Sequence, residues 1–449
     1  MKHYEAADKL ALDAFHRAAE RVPGYREVLK DAGVVASEIV SIHDFGRLPL
    51  LEKRDTFQRF PVAELCVDGD LGRPAVVLTS SGHLGVFSFG LSDAHAVANT
   101  VRYLDDVLDY IFSVRSRPTL LINCLPMGVK VHVSACTVAE TSVRADMVVG
   151  LVKAFGHHYE QIILVSEAAF AKAALELGEK SGVDWSKHLV HVVLGEEPVA
   201  ENARKYIESL LSIKSPSSRE GIVCSSMGMG EVGMHFFTEV PPVPYLILLR
   251  RALHDDTELR EAILGECEWV HSIFTYDPKR IRVEFDATKR LVLTTVDPEV
   301  RVPLIRYVTG DTGSWLKIPE VLRSRLESVG VPWEVLESTP LVMIAGRGRH
   351  GLSGKLPVYP EAVKEGIYLE SDLARLTTAN FRIVSGEAEA IIRLQLGPGI
   401  EPSIKLDERF ARAIRSYVRA PIRVRTEAYD GFGSGMTLDF ERKFDYLGP

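Results

Sequence analysis

Apolar residues recur along the chain at two periods. Near the start, Leu12, Phe15 and Ala19 keep helical spacing. Val22-Pro23-Gly24-Tyr25 breaks that pattern, and a second short helix over Tyr25 to Ala32 stops at Gly33, a residue common just past helix ends. Further on, Ala75-Val76-Val77-Leu78-Thr79 reads as a strand that empties into the small, hydroxyl-rich stretch Ser80-Ser81-Gly82-His83-Leu84-Gly85. Ser92-Asp93 opens a helix predicted to run to Phe112. Short apolar runs at Thr119 to Asn123, Gln161 to Val165 and His188 to Leu194 then alternate with helical patterns at Glu167 to Lys180 and Val199 to Leu211. Strands separated by helices of this length predict parallel sheets covered on both faces.

The second half changes character. Arg280 to Val296 reads as short strands meeting at a turn near Asp286 to Lys289, an antiparallel layer. Pro303-Leu304-Ile305-Arg306-Tyr307-Val308-Thr309-Gly310-Asp311 is a strand-like run expected to stop on Gly310 and to present Asp311 where the chain turns. After the Gly/Arg-rich Ile344-Ala345-Gly346-Arg347-Gly348-Arg349, about a hundred residues carry strands of their own at Ala390 to Leu396 and Ile422 to Thr426, and a helix at Asp407 to Val418. The expected architecture is therefore α/β. A large N-terminal domain (1–346) of helix-covered, mostly parallel sheets with a smaller β-layer precedes a small, mobile α+β C-terminal domain (347–449).

Composition narrows the function classes. The 449 residues hold 53 basic and 61 acidic side chains, a formal net charge of −8, which argues against a broad nucleic-acid-binding face. The first residues lack the apolar core of a signal peptide, and no stretch has the roughly 18 uninterrupted apolar residues of a membrane span. Cys66, Cys124, Cys136, Cys224 and Cys267 are scattered without metal-binding or disulfide spacing. These features predict a cytoplasmic protein without a membrane span.

The candidate chemistry gathers at strand ends. Ligands of open α/β sheets collect at the carboxyl ends of strands, where Gly82, Gly195 and Gly310 are all expected. Backbone N–H groups and hydroxyls in the Ser80 to Gly85 stretch suit phosphate oxygens, and a carboxylate such as Asp311 suits the vicinal hydroxyls of a ribose because it only accepts.

In order along the chain, Arg21-Val22-Pro23-Gly24-Tyr25, Phe45 to Lys53, the Ser80 loop, Gly195-Glu196-Glu197, Met227-Gly228-Met229-Gly230-Glu231-Val232-Gly233, Arg306 to Asp311, Gly346-Arg347, Tyr359-Pro360-Glu361 and Phe440-Glu441-Arg442-Lys443-Phe444 resemble the adenylate-forming superfamily. The resemblance covers nearly the whole chain and is to the branch of phenylacetate-coenzyme A ligase. It implies ATP, magnesium and coenzyme A as cofactors and a small carboxylic acid, aromatic or otherwise apolar, as substrate. The acid would be activated as an acyl-adenylate and passed to coenzyme A, and a homodimer is compatible with the resemblance.

By the same resemblance, Ser80, Ser81, Gly82 and Gly85 would contact phosphates, Gly195 and Glu196 would line the nucleotide site, and Asp311 would hold the ribose. Arg347 would lie near ribose or phosphate, Glu231 near magnesium, and Lys443 would bridge the substrate carboxylate and the α-phosphate. The sequence also departs from the family. The usual loop Ser-Ser-Gly-Thr-Thr-Gly-Lys-Pro is here Ser80-Ser81-Gly82-His83-Leu84-Gly85-Val86-Phe87, without either threonine or the lysine, and Gly230 replaces the threonine that usually precedes the acid. A second reading follows from these losses, a protein that binds a nucleotide or acyl-adenylate without turning it over. Acyl transfer to an internal cysteine of the small domain is disfavoured, because every cysteine precedes position 268.

Overall fold

A computed structural model describes residues 2–80, 86–126, 128–195, 197–240, 244–432 and 445–448, without the side chains of residues 2–6, 234 and 235. No helix among the described residues is long and apolar enough to cross a membrane. A two-stranded antiparallel hairpin, β1 (Val76–Thr79) and β2 (Phe89–Ser92), flanks one large sheet. Its parallel half consists of β3 (Thr119–Asn123), β4 (Thr137–Glu140), β5 (Gln161–Ser166), β6 (Val190–Leu194) and β7 (Val223–Met229), in the order β7-β6-β5-β3-β4. β3 and β5 are buried along their whole lengths, as near-continuous apolar strands covered on both faces should be.

The expected antiparallel layer is present, and it continues the parallel strands edge to edge rather than forming a separate sheet. β8 (Gly233–Thr238), β9 (Ser272–Tyr276), β10 (Ile281–Phe285), β11 (Arg290–Thr295), β12 (Tyr307–Trp315) and β13 (Val342–Gly346) complete an eleven-stranded sheet with the order β10-β11-β12-β13-β9-β8 before β7. The tight β7–β8 hairpin is where strand direction first reverses.

Beyond this sheet lie the small hairpin β14 (Gly351–Ser353) and β15 (Leu356–Val358) and a three-stranded sheet of β16 (Thr377–Val384), β17 (Ala390–Leu396) and β18 (Ile422–Glu427). The helix expected over Asp407 to Val418 runs over Ile404–Arg415, because the Ser403 hydroxyl accepts from Leu406 N and caps it earlier.

These C-terminal elements share a core with the parallel half of the large sheet. Val199, Ala203 and Ile207 belong to one apolar cluster with Val358, Ala362, Ile367 and Ile414. Polar contacts fix the register of this packing. The buried Glu365 carboxylate accepts from the first backbone amides of the helix Glu201–Leu210, Glu201 N at 2.8 Å and Asn202 N at 2.9 Å, where the helix dipole favours negative charge. The buried Lys172 ammonium donates to Thr377 O at 2.7 Å. The helix Pro360–Ile367 is thereby held beside the turn that follows β6.

Beneath that turn, the fully buried Arg204 guanidinium donates to Glu201 at 3.0 Å, to Glu239 at 2.8 Å and to Val223 O at 2.6 Å. Arg204→Ala would leave two buried carboxylates without their main partner, a defect that costs about 3–5 kcal/mol. Urea unfolding should show a loss of that order, and a loss below about 1 kcal/mol would mean that the network is not what holds this helix.

Candidate functional site

The site is assembled along β12. Arg306 enters this strand with a left-handed backbone (φ 48°), a conformation that costs energy unless its surroundings impose it. Here they do: Arg306 N donates to Thr294 Oγ1 at 3.0 Å, and the guanidinium donates to Phe45 O at 2.8 Å and to Leu48 O at 2.6 Å. The N-terminal segment is stitched to the same point, since Leu51 N donates to Arg306 O at 3.0 Å and Leu51 O accepts from Val308 N at 2.8 Å.

Tyr307 is fully buried, and its hydroxyl donates to Glu231 Oε1 at 2.9 Å. Burial first, and then the Glu231 carboxylate, push this phenol far above its usual range, so it stays a donor. Glu231 lies in the β7–β8 turn with only 6% of its surface exposed.

The run through Gly310 does not end there, contrary to the sequence expectation. β12 continues to Trp315, and Gly310, at φ 88°, belongs to a bulge. Val308 faces Val292 and Thr312 faces Arg290, so Thr309, Gly310 and Asp311 stand opposite Leu291 alone. A bulge re-aims the side chains it contains, and the left-handed glycine permits it. Asp311 is buried, with its amide donating to Thr309 Oγ1 at 3.1 Å.

Ser80 ends the outer hairpin. Its Oγ accepts from Ser88 N at 3.0 Å and from Lys53 Nζ at 2.9 Å, and Lys53 Nζ also lies 3.9 Å from Glu231 Oε1. Ser80 and Glu231, far apart in sequence, therefore share one ammonium group, from a residue to which the sequence reading assigned no role. Its sequence signal is its place at the end of the Phe45 to Lys53 stretch, two residues after the apolar pair Leu50-Leu51; its position depends on the backbone clamp at Leu51, which no local pattern announces.

Gly230 explains one departure from the expected motif. A Cβ at Gly230 would lie 2.7 Å from Thr79 O and 2.9 Å from Ser80 N, and one at Gly90 would lie 2.2 Å from Gly230 O. The hairpin packs backbone to backbone on the β7–β8 turn, so a threonine has no room at this position.

Gly195 closes β6, its amide donating to Ser166 O at 2.9 Å. The neighbouring Glu197 pairs with Lys364 and accepts from the Tyr446 hydroxyl at 2.9 Å. Gly346 faces Thr312 across β12 and β13, and the exposed Arg347 follows it. Glu361, from the C-terminal helix, reaches the same corner: a Cβ on Gly346 would lie 3.2 Å from its Oε1. Of the other expected site residues, Ser81, Gly82, Gly85, Glu196 and Lys443 lie outside the described residues.

Glu231 is a chemically suitable partner for magnesium. It is a buried carboxylate whose contacts to Tyr307 and Lys53 both involve Oε1, and magnesium shared with phosphates needs only one or two carboxylates from the protein. Among the described residues no group of three or more His, Cys, Asp or Glu is arranged to hold a metal unaided.

No protein-family model matches the chain. It is 25% identical over 223 residues to phenylacetate-coenzyme A ligase of Thermus thermophilus, a match that covers 44% of the chain and 45% of that relative, so the match spans about half the relative's length. The fold is that of 2-hydroxyisobutyryl-CoA ligase. In its postadenylation state with R3-HIB-AMP, that enzyme superposes with a TM-score of 0.70 at 12% identity, over 100% of this chain and 89% of that one. In its thioesterification state with 2-HIB-AMP and CoA, the TM-score is 0.55 at 12% identity over the same shares. The chain is thus similar in fold to 2-hydroxyisobutyryl-CoA ligase and, over the matched half, similar in sequence to phenylacetate-coenzyme A ligase.

Restoring the missing threonine at position 230 should harm the protein. Overpacking typically costs about 1–3 kcal/mol, so Gly230→Thr should lower thermal stability by that order, and unchanged melting would contradict the close backbone packing. Glu361 predicts a pH effect. Burial raises its carboxyl to about 6 against the pull of Lys364, with Glu197 and Asp311 adding to the rise. A carboxyl raised above its ordinary 4.5 lends stability below that pH and loses it as pH climbs through about 6. Glu361→Gln should therefore gain melting temperature relative to wild type over that interval; a difference that does not change with pH would refute it.

Proposed function

We propose that the protein uses ATP to activate a carboxylic acid, aromatic or otherwise apolar, as an acyl-adenylate and then transfers the acyl group to coenzyme A. In the first half-reaction a carboxylate oxygen bonds to the α-phosphorus while the bond to pyrophosphate breaks. In the second, the thiol sulfur bonds to the acyl carbon, the thiol proton is lost and AMP leaves with the electron pair of the broken bond. Such chemistry needs a grip on the nucleoside, charge compensation at the phosphates and exclusion of water.

The observation that carries the proposal is that one strand, β12, bears Asp311 in a bulge and binds through Tyr307 to Glu231, beside Ser80. In this reading Asp311 accepts from the ribose hydroxyls, and Gly195 and Glu196 line the nucleoside. Ser80 with Ser81, Gly82 and Gly85 meets the phosphates, and Arg347 stands by ribose or phosphate. Lys443 bridges the carboxylate and the α-phosphate. Glu231 would hold magnesium, which supplies charge neutralisation at the phosphates. The residues after Gly346 are the unit we expect to reorient between half-reactions.

The cysteines support an external thiol acceptor. Burial raises all five thiols, Cys66 and Cys136 to about 11 and the enclosed Cys124 and Cys224 to about 12, so none is a ready thiolate for acyl transfer.

The test is pyrophosphate release from ATP and magnesium across a panel of carboxylic acids. Release that depends on the acid is expected, and silence with every acid in folded protein would overturn the proposal. If calorimetry with an acyl-adenylate analogue still showed tight binding in that case, the non-catalytic binding reading would replace it. Asp311→Ala should weaken analogue binding about ten- to a hundredfold, the usual effect of losing a charged hydrogen-bond partner.

A further inference from the structure

His254 occupies the last turn of the helix Tyr245–Asp255, where the C-terminal elements meet the helices of the large sheet, with 7% of its side chain exposed. A carboxylate faces each ring nitrogen. Nδ1 lies 2.8 Å from Asp255 Oδ1, and Nε2 lies 3.4 Å from Oε2 of the buried Glu365, on the C-terminal helix Pro360–Ile367. An ionised carboxylate only accepts, so a neutral ring with its single N–H must turn a lone pair towards one of the two. The imidazolium can donate to both.

The same ring ties two parts of the C-terminal unit to the large sheet. Glu365 is the carboxylate that caps the helix Glu201–Leu210. Tyr417, which follows the helix Ile404–Arg415, stacks on the imidazole with ring centroids 5.9 Å apart, and its hydroxyl lies 3.2 Å from Nε2 while accepting from Asn202 Nδ2 at 2.9 Å. The other charges around the ring are engaged elsewhere or oppose its proton. Lys205, from the helix Glu201–Leu210, pairs with Asp255 and stands 3.4 Å from Nδ1, and the buried Glu201 of that helix is paired with Arg204, Arg250 and Arg251. From the helix Thr257–Leu264, the Arg260 guanidinium donates to His254 O at 3.0 Å. Burial by itself would lower the imidazole, but Glu365 and then Asp255 outweigh both burial and Lys205, so the ring is held above its usual range. Its place at a helix C-terminus acts in the same direction. A folded-state value raised in this way lends stability below the unfolded value and loses it as pH climbs through the raised one.

We propose that His254 is a proton-operated latch: as the imidazolium it holds the C-terminal elements, through Glu365 and Tyr417, against the helices of the large sheet, and loss of its proton to solvent loosens that docking. The consequence for turnover rests on the functional reading above, in which the residues after Gly346 reorient between half-reactions, and rising pH would then favour release. Docking can be measured without nucleotide or acid, so the latch and that reading fail separately.

The test is hydrogen exchange of the full chain, followed by mass spectrometry from about pH 5.5 to about pH 8.5, the interval in which a histidine changes charge, with rates corrected for the intrinsic pH dependence of exchange. Peptides covering residues 359–368 and 404–427 report the docking, and those covering 119–123 and 161–166 report the large sheet. Glu361, one turn before Glu365, is also raised by burial, so the decisive quantity is the part of the pH response that His254→Gln removes. In wild type the docking peptides should exchange about tenfold faster at the upper end of the interval, as expected on losing a charge-assisted hydrogen bond, while the sheet peptides do not respond. His254→Gln should exchange at the faster rate throughout, Glu361→Gln should keep the step, and Glu365→Gln should move its midpoint to lower pH. A step that survives in His254→Gln, a wild type without one, or equal responses in both sets of peptides would overturn the inference. Should His254→Gln not fold, the Glu365→Gln midpoint decides, and one that stays in place refutes the latch.

Discussion

The hydrogen bond from the buried Tyr307 hydroxyl to Glu231 ties together two parts of the chain that are about seventy-five residues apart. Tyr307 opens the strand that carries Asp311, and Glu231 occupies the turn against which the outer hairpin packs. Through this bond the strand that bears Asp311 and the turn beside Ser80 belong to one frame. The clamp at Leu51 extends the frame to the N-terminal helices, and the strained Arg306 backbone is the local cost of the join, held by bonds to Phe45, Leu48 and Thr294.

The two sides of that frame differ. At Asp311 the expected residue is present, and a bulge, rather than a strand end, aims it. Beside Ser80, the hairpin backbone packs so closely on Gly230 that a threonine has no room there. Lys53, from another segment, reaches Ser80. The C-terminal helix Pro360–Ile367 completes the surroundings, with Glu365 capping the helix behind β6 and Glu361 meeting Gly346. Several of these contacts join buried charged groups, so separation of the C-terminal elements would have to rehydrate carboxylates that are now well satisfied.

Much of the fold was legible in the sequence because its signals are local. β3 and β17 fall on the predicted residues, and Asp93 and Glu167 cap the helices their positions suggested. Asp311 stands out in the sequence as an acid beside a glycine at an expected strand end, whereas Glu231 is singled out only by the resemblance. Gly310 misled because a left-handed glycine serves a bulge as readily as a turn, and only the pairing with β11 distinguishes them. Lys53 escaped notice for a different reason. Its contact with Ser80 depends on backbone bonds to a strand some 250 residues further on, and nothing within the segment encodes that distance. The continuity of the parallel and antiparallel halves was hidden in the same way, since edge-to-edge pairing is a property of the assembled sheet.

The most direct measurement is a crystal structure of the protein with ATP and magnesium. The ribose hydroxyls are expected against the Asp311 carboxylate and the phosphates beside Ser80, with the metal on the Glu231 side. A nucleotide bound elsewhere, or one whose phosphates point away from Ser80, would contradict the proposed function.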